Sequence, residues 1–142
     1  MAILASLARA ATGLSRCRAA RRLFAKHRFV STAEARSVRL LRDWLSPGQR
    51  AQLADTGYFD VVGGESGRRY RIFSGTSLNV CELDERGRVR CGWCFVPIGE
   101  LPIGDVMLAQ KFALESCESS ALAVARQFVP HGFFFRPRRL FR

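Results

Sequence analysis

The chain has 142 residues, of which 48% are apolar, and it carries a formal net charge of +11. This length and composition suit one ordinary globular domain with its own core. Charged residues interrupt every apolar stretch before it reaches the roughly 18 residues that a membrane-spanning helix needs, so we expect no transmembrane segment.

The positive charge is concentrated at the two ends of the chain. Residues 1–33 hold seven bases and no acid, and residues 126–142 hold five bases and no acid. The middle, 34–125, has eleven bases against twelve acids. A basic segment without acids is typical of contact with polyanions, so we expect any such binding in the ends.

The first 45 residues form a basic leader, which we expect to be disordered or partly helical. Leu4, Leu7, Ala11 and Leu14 recur at helical spacing among arginines. This composition is typical of a mitochondrial presequence, and also of a basic leader on a bacterial protein. We therefore expect a cytoplasmic protein, with the mitochondrial matrix as the alternative if residues 1–33 are a presequence.

A single domain is predicted over 46–128, and it opens with a short helix. Ser46 suits the N-cap, Pro47 the first helical position, and Gln49 closes a capping box. The helix should end near Asp55, before Thr56 and a glycine.

Four strands should follow, because aromatic and β-branched residues alternate between glycine-rich turns. They are predicted at 58–62, 69–73, 78–83 and 88–96. After a loop over 97–104, Asp105 is expected to cap a long amphipathic helix from Val106 to about Phe128. The predicted fold is α+β: a four-stranded antiparallel meander covered on one face by this long C-terminal helix, with a short helix before the first strand.

Residues 129–142 form a basic aromatic tail. Three phenylalanines at 133–135 precede Arg136, Arg138 and Arg139. Such a mixture can stack on nucleic-acid bases or lie at an anionic membrane surface. The alternative is a frayed end whose phenylalanines fold back on the domain.

Several short motifs within about 44–128 resemble a group of short bacterial proteins that have no assigned function. The motifs are Gly67–Ile72 (GRRYRI), Asn79-Val80, Trp93–Pro97 (WCFVP) and Gly104–Lys111 (GDVMLAQK). This resemblance favours a bacterial cytoplasmic origin and implies no activity.

The cysteines offer the most specific chemical alternative, a zinc site. Without a secretory signal, free thiols are expected instead of disulfides. Cys91 and Cys94 lie three residues apart on one predicted strand, so their side chains should point to opposite faces. A hairpin centred on residues 85–86 would set Cys81 beside Arg90 and leave Cys94 about 13 Å further along. We therefore expect no metal and no cofactor; the weaker alternative is a zinc site formed by Cys81, Cys91, Cys94 and Cys117.

Alternation along the strands also places arginines on the face that the helix leaves open. The candidates are Arg69, Arg71, Arg88 and Arg90. They could bind anions together with the arginines of the tail. The alternative is a solvated surface on which they pair with Asp60, Glu65 or Glu85.

Catalysis finds little support in the sequence. The two histidines, His27 and His131, lie outside the predicted domain, and its carboxylates are scattered in turns and on a helix surface. We expect a small non-catalytic binding or interaction domain with a protein partner of unknown identity. The runner-up is non-specific binding of nucleic acid or another polyanion, and an enzyme of unknown class comes third.

Overall fold

A computed structural model describes residues 32–130 of the chain. A helix over 32–44 (α1) is followed by α2 (Pro47–Thr56), α3 (Ile103–Ser116) and α4 (Glu118–Val124). The strands are β1 (Tyr58–Val62), β2 (Arg69–Phe73), β3 (Val80–Leu83), β4 (Val89–Cys94) and β5 (Arg126–Phe128). The chain divides between Ala35 and Arg36 into two units, and every contact discussed below lies in the second unit. Within the described part, no helix is long and apolar enough to cross a membrane.

The start of α2 confirms the predicted capping box. The Gln49 amide N–H donates to Ser46 Oγ at 3.2 Å, and the Ser46 N–H donates to Gln49 Oε1 at 3.1 Å. Pro47 occupies the first helical position. The helix ends at Gly57, whose φ of 78° lies in the left-handed region that glycine adopts without strain.

The sheet is an antiparallel meander in the order β1-β2-β3-β4-β5. Its first two strands have the predicted bounds, and the third and fourth are shorter than predicted. The prediction of four strands is wrong, because residues 126–128 leave helical geometry and pair with β4, placing Phe128 opposite Gly92 and Arg126 opposite Cys94.

The long C-terminal helix is also a wrong prediction. The helix begins at Ile103, and Pro102 occupies the N-cap position. Asp105 lies inside the first turn, and this helix start has no side-chain capping hydrogen bond among the described residues. It breaks at Cys117, whose backbone has φ −142° and ψ 49°, and α4 continues for seven residues. The break accompanies hydrogen bonds between Glu118 and a distant turn, which local amphipathic spacing cannot reveal.

The β3–β4 pairing differs from the register expected for a hairpin centred on residues 85–86. Cys81 lies opposite Gly92, not Arg90. A bulge leaves Arg90 as an extra residue, since Glu82 pairs with Cys91 and Leu83 pairs with Val89. The bulge therefore interrupts the alternation of side-chain faces at Val89 and Arg90.

One apolar core lies between the helices and one face of the sheet. It comprises Leu41, Leu45, Leu53, Phe59, Val61, Tyr70, Ile72, Val80, Met107, Leu108 and Leu114. Two of these leucines come from α1 and the residue after it, in the segment that the sequence analysis assigned to the leader. Trp93 is half-buried against the edge of this core.

Candidate functional site

An apolar cavity of about 250 Å³ lies between α3 and the loop that follows β4. The loop contributes Phe95, Val96, Pro97 and Leu101, and the helix contributes Asp105, Val106, Ala109, Gln110 and Ala113. Ala109 and Ala113 are one helical turn apart, so their small side chains share one side of α3. The space exists because no longer side chain projects from these two positions.

Gln110 contributes a fixed wall to this cavity. Its amide exchanges two hydrogen bonds of 2.9 Å with the amide of Asn79, and both residues are buried. Asn79 also donates to the carbonyl oxygens of Phe73 and Gly75. Because these polar groups are satisfied inside the fold, Gln110 has little tendency to swing into the cavity.

A second cavity, of about 480 Å³, adjoins the first. It is lined by Cys94, Phe95, Val96, Val124 and Arg126. Phe95 and Val96 line both cavities, but Cys94 and Arg126 are cross-strand partners on the sheet face away from the core. We call the first cavity, between α3 and the loop, the apolar groove.

Large apolar side chains project into solvent from the loop and beside the two cavities. The exposed fraction is 73% for Val96, 96% for Ile98, 48% for Leu101 and 82% for Val124. Single exposed apolar residues are ordinary, whereas several close together are typical of interaction surfaces. The sequence held a signal for this site, because the loop over 96–101 is unusually apolar for a surface connection.

Each cavity has one charged side chain in its lining. Asp105 lines the first cavity and Arg126 lines the second. Both are exposed, and neither side chain makes a hydrogen bond or ion pair with another described residue.

The candidate anion-binding arginines of β2 contact an acid, Asp60, which is one of the partners that the alternative named. Arg71 donates two hydrogen bonds to Asp60, at 2.8 and 3.0 Å, and Arg69 reaches the same carboxylate at 3.2 Å. Arg71 also lies 4.1 Å from the centroid of the Tyr58 ring. Burial alone would raise the pKa of Asp60, but these arginines and Gln52 lower it. The Asp60 charge thus offsets part of the positive potential on this face.

The arginines of the β3–β4 hairpin also have acidic partners. Arg88 contacts Asp84 at 2.9 Å, and Arg90 contacts Glu82 at 3.5 Å. Glu82 is the cross-strand partner of Tyr70, which belongs to the core, so Arg90 extends toward the helix-covered side. The bulge therefore separates Arg90 from Arg69 and Arg71. The remaining candidates, Arg136, Arg138 and Arg139, lie outside the described residues.

Glu118 is a buried carboxylate whose role the sequence analysis missed by placing it on a helix surface. It is 2% exposed and accepts hydrogen bonds from the amides of Glu65 and Ser66, from Ser66 Oγ and from the Tyr70 hydroxyl. Burial alone would raise the pKa of Glu118, but these bonds lower it to about 2. With all of its donors supplied by the fold, this group is a structural connection.

The cysteines are distributed over the sheet and a helix joint. Cys81 is fully buried, Cys91 and Cys94 are half-buried, and Cys117 is exposed between α3 and α4. Within residues 32–130, no three His, Cys, Asp or Glu side chains are placed to hold a metal ion. Burial and the neighbouring Cys91 raise the pKa of the Cys81 thiol to about 12, so Cys81 stays protonated at neutral pH.

Comparisons of the chain with protein-family models, curated proteins and solved structures found no match. The resemblance to short bacterial proteins therefore stays a prediction. The candidate site is the apolar groove, on the geometry given above.

Proposed function

We propose that this chain is a non-catalytic binding domain that holds an apolar peptide segment of a partner protein in the apolar groove. The observation that supports the proposal is the exposure of Val96, Ile98, Leu101 and Val124. Val96 and Leu101 line the groove, Ile98 lies in the same loop, and Val124 lines the neighbouring cavity. Covering such side chains removes apolar surface from water, which stabilises a complex.

The shape of the groove favours a peptide over a small molecule. Small-molecule sites enclose roughly 70–90% of their ligand. Here the loop side chains point outward, and Ile98 is 96% exposed. A partner that wraps this loop would cover more apolar surface than a ligand confined to the cavities.

The affinity should be moderate. Full burial of one Val, Leu or Ile side chain contributes about 1.5–3 kcal/mol. Four such side chains must also offset the loss of translational and rotational freedom on association, which costs roughly 4–15 kcal/mol. At most about 8 kcal/mol is then left, so we expect a Kd on the order of micromolar or weaker.

The test is a selection from a random-peptide library on the immobilised full-length chain, followed by fluorescence polarisation with the enriched peptides. Ala109→Trp fills the floor of the groove and should weaken binding at least about tenfold. Ala54→Trp is the matched control, because Ala54 is an exposed alanine on α2 outside the groove lining. Equal binding by the two variants, or no enrichment from the library, would overturn the proposal.

One further variant and one further measurement distinguish two other occupants of the groove. If peptides bind only after Phe133, Phe134 and Phe135 are changed together to Ser, the groove is filled by the chain's own tail and the proposal fails. If Ala109→Trp changes the oligomeric state in sedimentation, the occupant is a second copy, and the proposal fails again.

Binding of a polyanion is the second candidate function. It is supported by the twelve bases and the absence of acids in residues 1–33 and 126–142. Binding through such ends should be non-specific and should weaken steeply with salt, because each neutralised phosphate releases a counterion. The pairing of Arg69, Arg71, Arg88 and Arg90 with acids favours the ends over the sheet as the site.

A further inference from the structure

We propose that the outer side of α1 and α3 binds an anionic phospholipid membrane surface through Leu40, Trp44 and Phe112. We call these three residues the Trp44 patch. None of them lines the apolar groove or the neighbouring cavity. The membrane contact therefore uses different residues from the peptide site and does not depend on the proposed function.

The three side chains of the Trp44 patch are large, apolar and exposed. The exposed fraction is 45% for Leu40, 57% for Trp44 and 38% for Phe112. The rings of Trp44 and Phe112 meet edge to face, with their centroids 5.3 Å apart. Leu40 lies one helical turn before Trp44 on the same side of α1. The three side chains thus form one continuous apolar patch, which is typical of an interaction surface.

Two helices lying side by side make the patch broad. Gly104 of α3 lies against the backbone of Ser37, and Phe112 contacts Trp44, so α1 and α3 run alongside each other in the same direction. The inward side chains of these helices belong to the core, among them Leu41 and Leu108. Apolar side chains that two adjacent helices present outward suit a flat surface, such as the interface of a membrane with water.

The residue types of the patch suit the interfacial layer of a membrane. Trp is enriched in this layer because it combines an apolar ring with a polar N–H group. Helices that lie in the interface present Trp, Phe and Leu to the lipid and bases to the headgroups. Arg36 is exposed and lies one turn before Leu40, so a base borders the apolar residues of α1.

The charge of the chain around the patch identifies an anionic membrane as the occupant. Residues 1–45 hold ten bases and two acids, Glu34 and Asp43. This segment is continuous with α1, so lipid headgroups that cover the Trp44 patch also attract its bases. An apolar anchor and a polybasic segment together give stable membrane binding where either one alone is weak.

The test is cosedimentation of the full-length chain with vesicles of phosphatidylcholine, either alone or with about one-third phosphatidylserine. The chain should bind the anionic vesicles at least about tenfold more tightly than the neutral ones, and this difference should shrink at high salt. Leu40→Ser combined with Trp44→Ser should weaken binding to the anionic vesicles at least about tenfold, because the apolar contact is lost.

The matched control is Val62→Ser combined with Val89→Ser. These valines lie on the sheet and have exposed fractions of 57% and 39%, close to those of Trp44 and Leu40. The control should bind the anionic vesicles as the wild type does. Equal binding by the two double variants, or no binding of the wild type to anionic vesicles, would overturn the inference.

Trp44 fluorescence provides a second measurement that leaves the patch intact. Trp44 and Trp93 are the two tryptophans of the chain. In a Trp93→Phe background, the emission of Trp44 should move to shorter wavelength when anionic vesicles are added, and brominated lipid should quench it. A chain that cosediments without this shift binds lipid elsewhere, and the inference fails.

Two variants that each lose four arginines to Gln test the basic segment. One loses Arg16, Arg18, Arg21 and Arg22, and the other loses Arg136, Arg138, Arg139 and Arg142. The first should bind anionic vesicles at least about threefold more weakly than the second, because its lost bases belong to the segment that continues into α1. Equal weakening would show that net charge alone attracts the chain, which refutes the inference.

A second copy of the chain is the other occupant that the patch could accept. If Leu40→Ser with Trp44→Ser changes the oligomeric state in sedimentation and the wild type does not bind vesicles, the patch joins two copies and the inference fails.

Discussion

The hydroxyl of Tyr70 donates a hydrogen bond of 2.6 Å to the carboxylate of Glu118, 48 residues further along the chain. The same carboxylate accepts the amide N–H groups of Glu65 and Ser66, at 3.0 and 2.8 Å. One buried side chain thus joins β2, the turn before it and the start of α4. Burial and the Glu118 charge hold the pKa of Tyr70 above its usual range, so Tyr70 remains a donor.

Replacing Glu118 with Gln should destabilise the domain by about 2 kcal/mol. The NH2 group of Gln would face N–H and O–H groups that also donate, and the charge of the carboxylate, which strengthens these hydrogen bonds, would be lost. Urea denaturation followed by circular dichroism measures the change. Glu100→Gln, in an exposed loop, is the control and should stay within about 0.5 kcal/mol of the wild type. A Glu118→Gln variant as stable as this control would contradict the structural role.

The same variant tests a pH dependence. The Glu118 pKa lies at about 2 in the folded chain against an ordinary value of 4.5. A carboxylate with a depressed folded pKa stabilises the fold above its unfolded pKa, and this contribution is lost as pH falls from about 4.5 toward 2. The stability difference between wild type and Glu118→Gln should therefore narrow over that interval. Asp60 titrates in both proteins, so it largely cancels in the difference.

Gly104 should not tolerate alanine. A Cβ added there would lie 2.3 Å from the backbone carbon of Ser37, so α1 would have to move away from α3. Overpacking of this kind typically costs about 1–3 kcal/mol. Gly48→Ala is the matched change in α2, where a Cβ meets nothing within 4 Å, and the gain in helix propensity should leave stability unchanged or up to about 1 kcal/mol higher. Thermal unfolding of both variants compares their stabilities. Equal melting temperatures would show that α1 does not pack against α3 as described.

Thiol labelling should follow exposure. In a Cys17→Ser background, native protein treated with iodoacetamide should react first at Cys117, which is exposed. Cys81 should react last, because it is fully buried and its pKa is raised to about 12. Peptide mass spectrometry at successive times gives the order. Labelling of Cys81 before Cys117 in folded protein would show that the sheet around β3 is open.

Retention on heparin should depend on the C-terminal arginines. Changing Arg136, Arg138 and Arg139 to Ser should lower the salt concentration needed for elution, because counterion release falls with each lost contact. Changing Arg88 and Arg90 to Ser should lower the elution salt concentration less, since these side chains are paired with Asp84 and Glu82. A larger effect of the hairpin pair would place the anion site on the sheet.

Local sequence determined the features whose causes lie within a few residues. The capping box of Ser46 and Gln49 fixes the start of α2, and β-branched and aromatic residues fix β1 and β2. The amphipathic pattern also predicted a helix after the sheet, which α3 confirms. In each case, neighbours along the chain provide the hydrogen bonds or the alternation that define the element.

Tertiary structure decided the features whose partners are distant in sequence. The break at Cys117 accompanies bonds from Glu118 to residues more than 50 positions away, and β5 exists because β4 provides its partner. The bulge adds Arg90 as an extra residue in β4 and so changes the sheet face of this candidate anion ligand. Sequence reasoning assumed that side chains alternate between faces at every residue, and this assumption fails at a bulge. The groove likewise depends on a loop meeting two alanines of α3, a contact that no periodicity in either segment encodes.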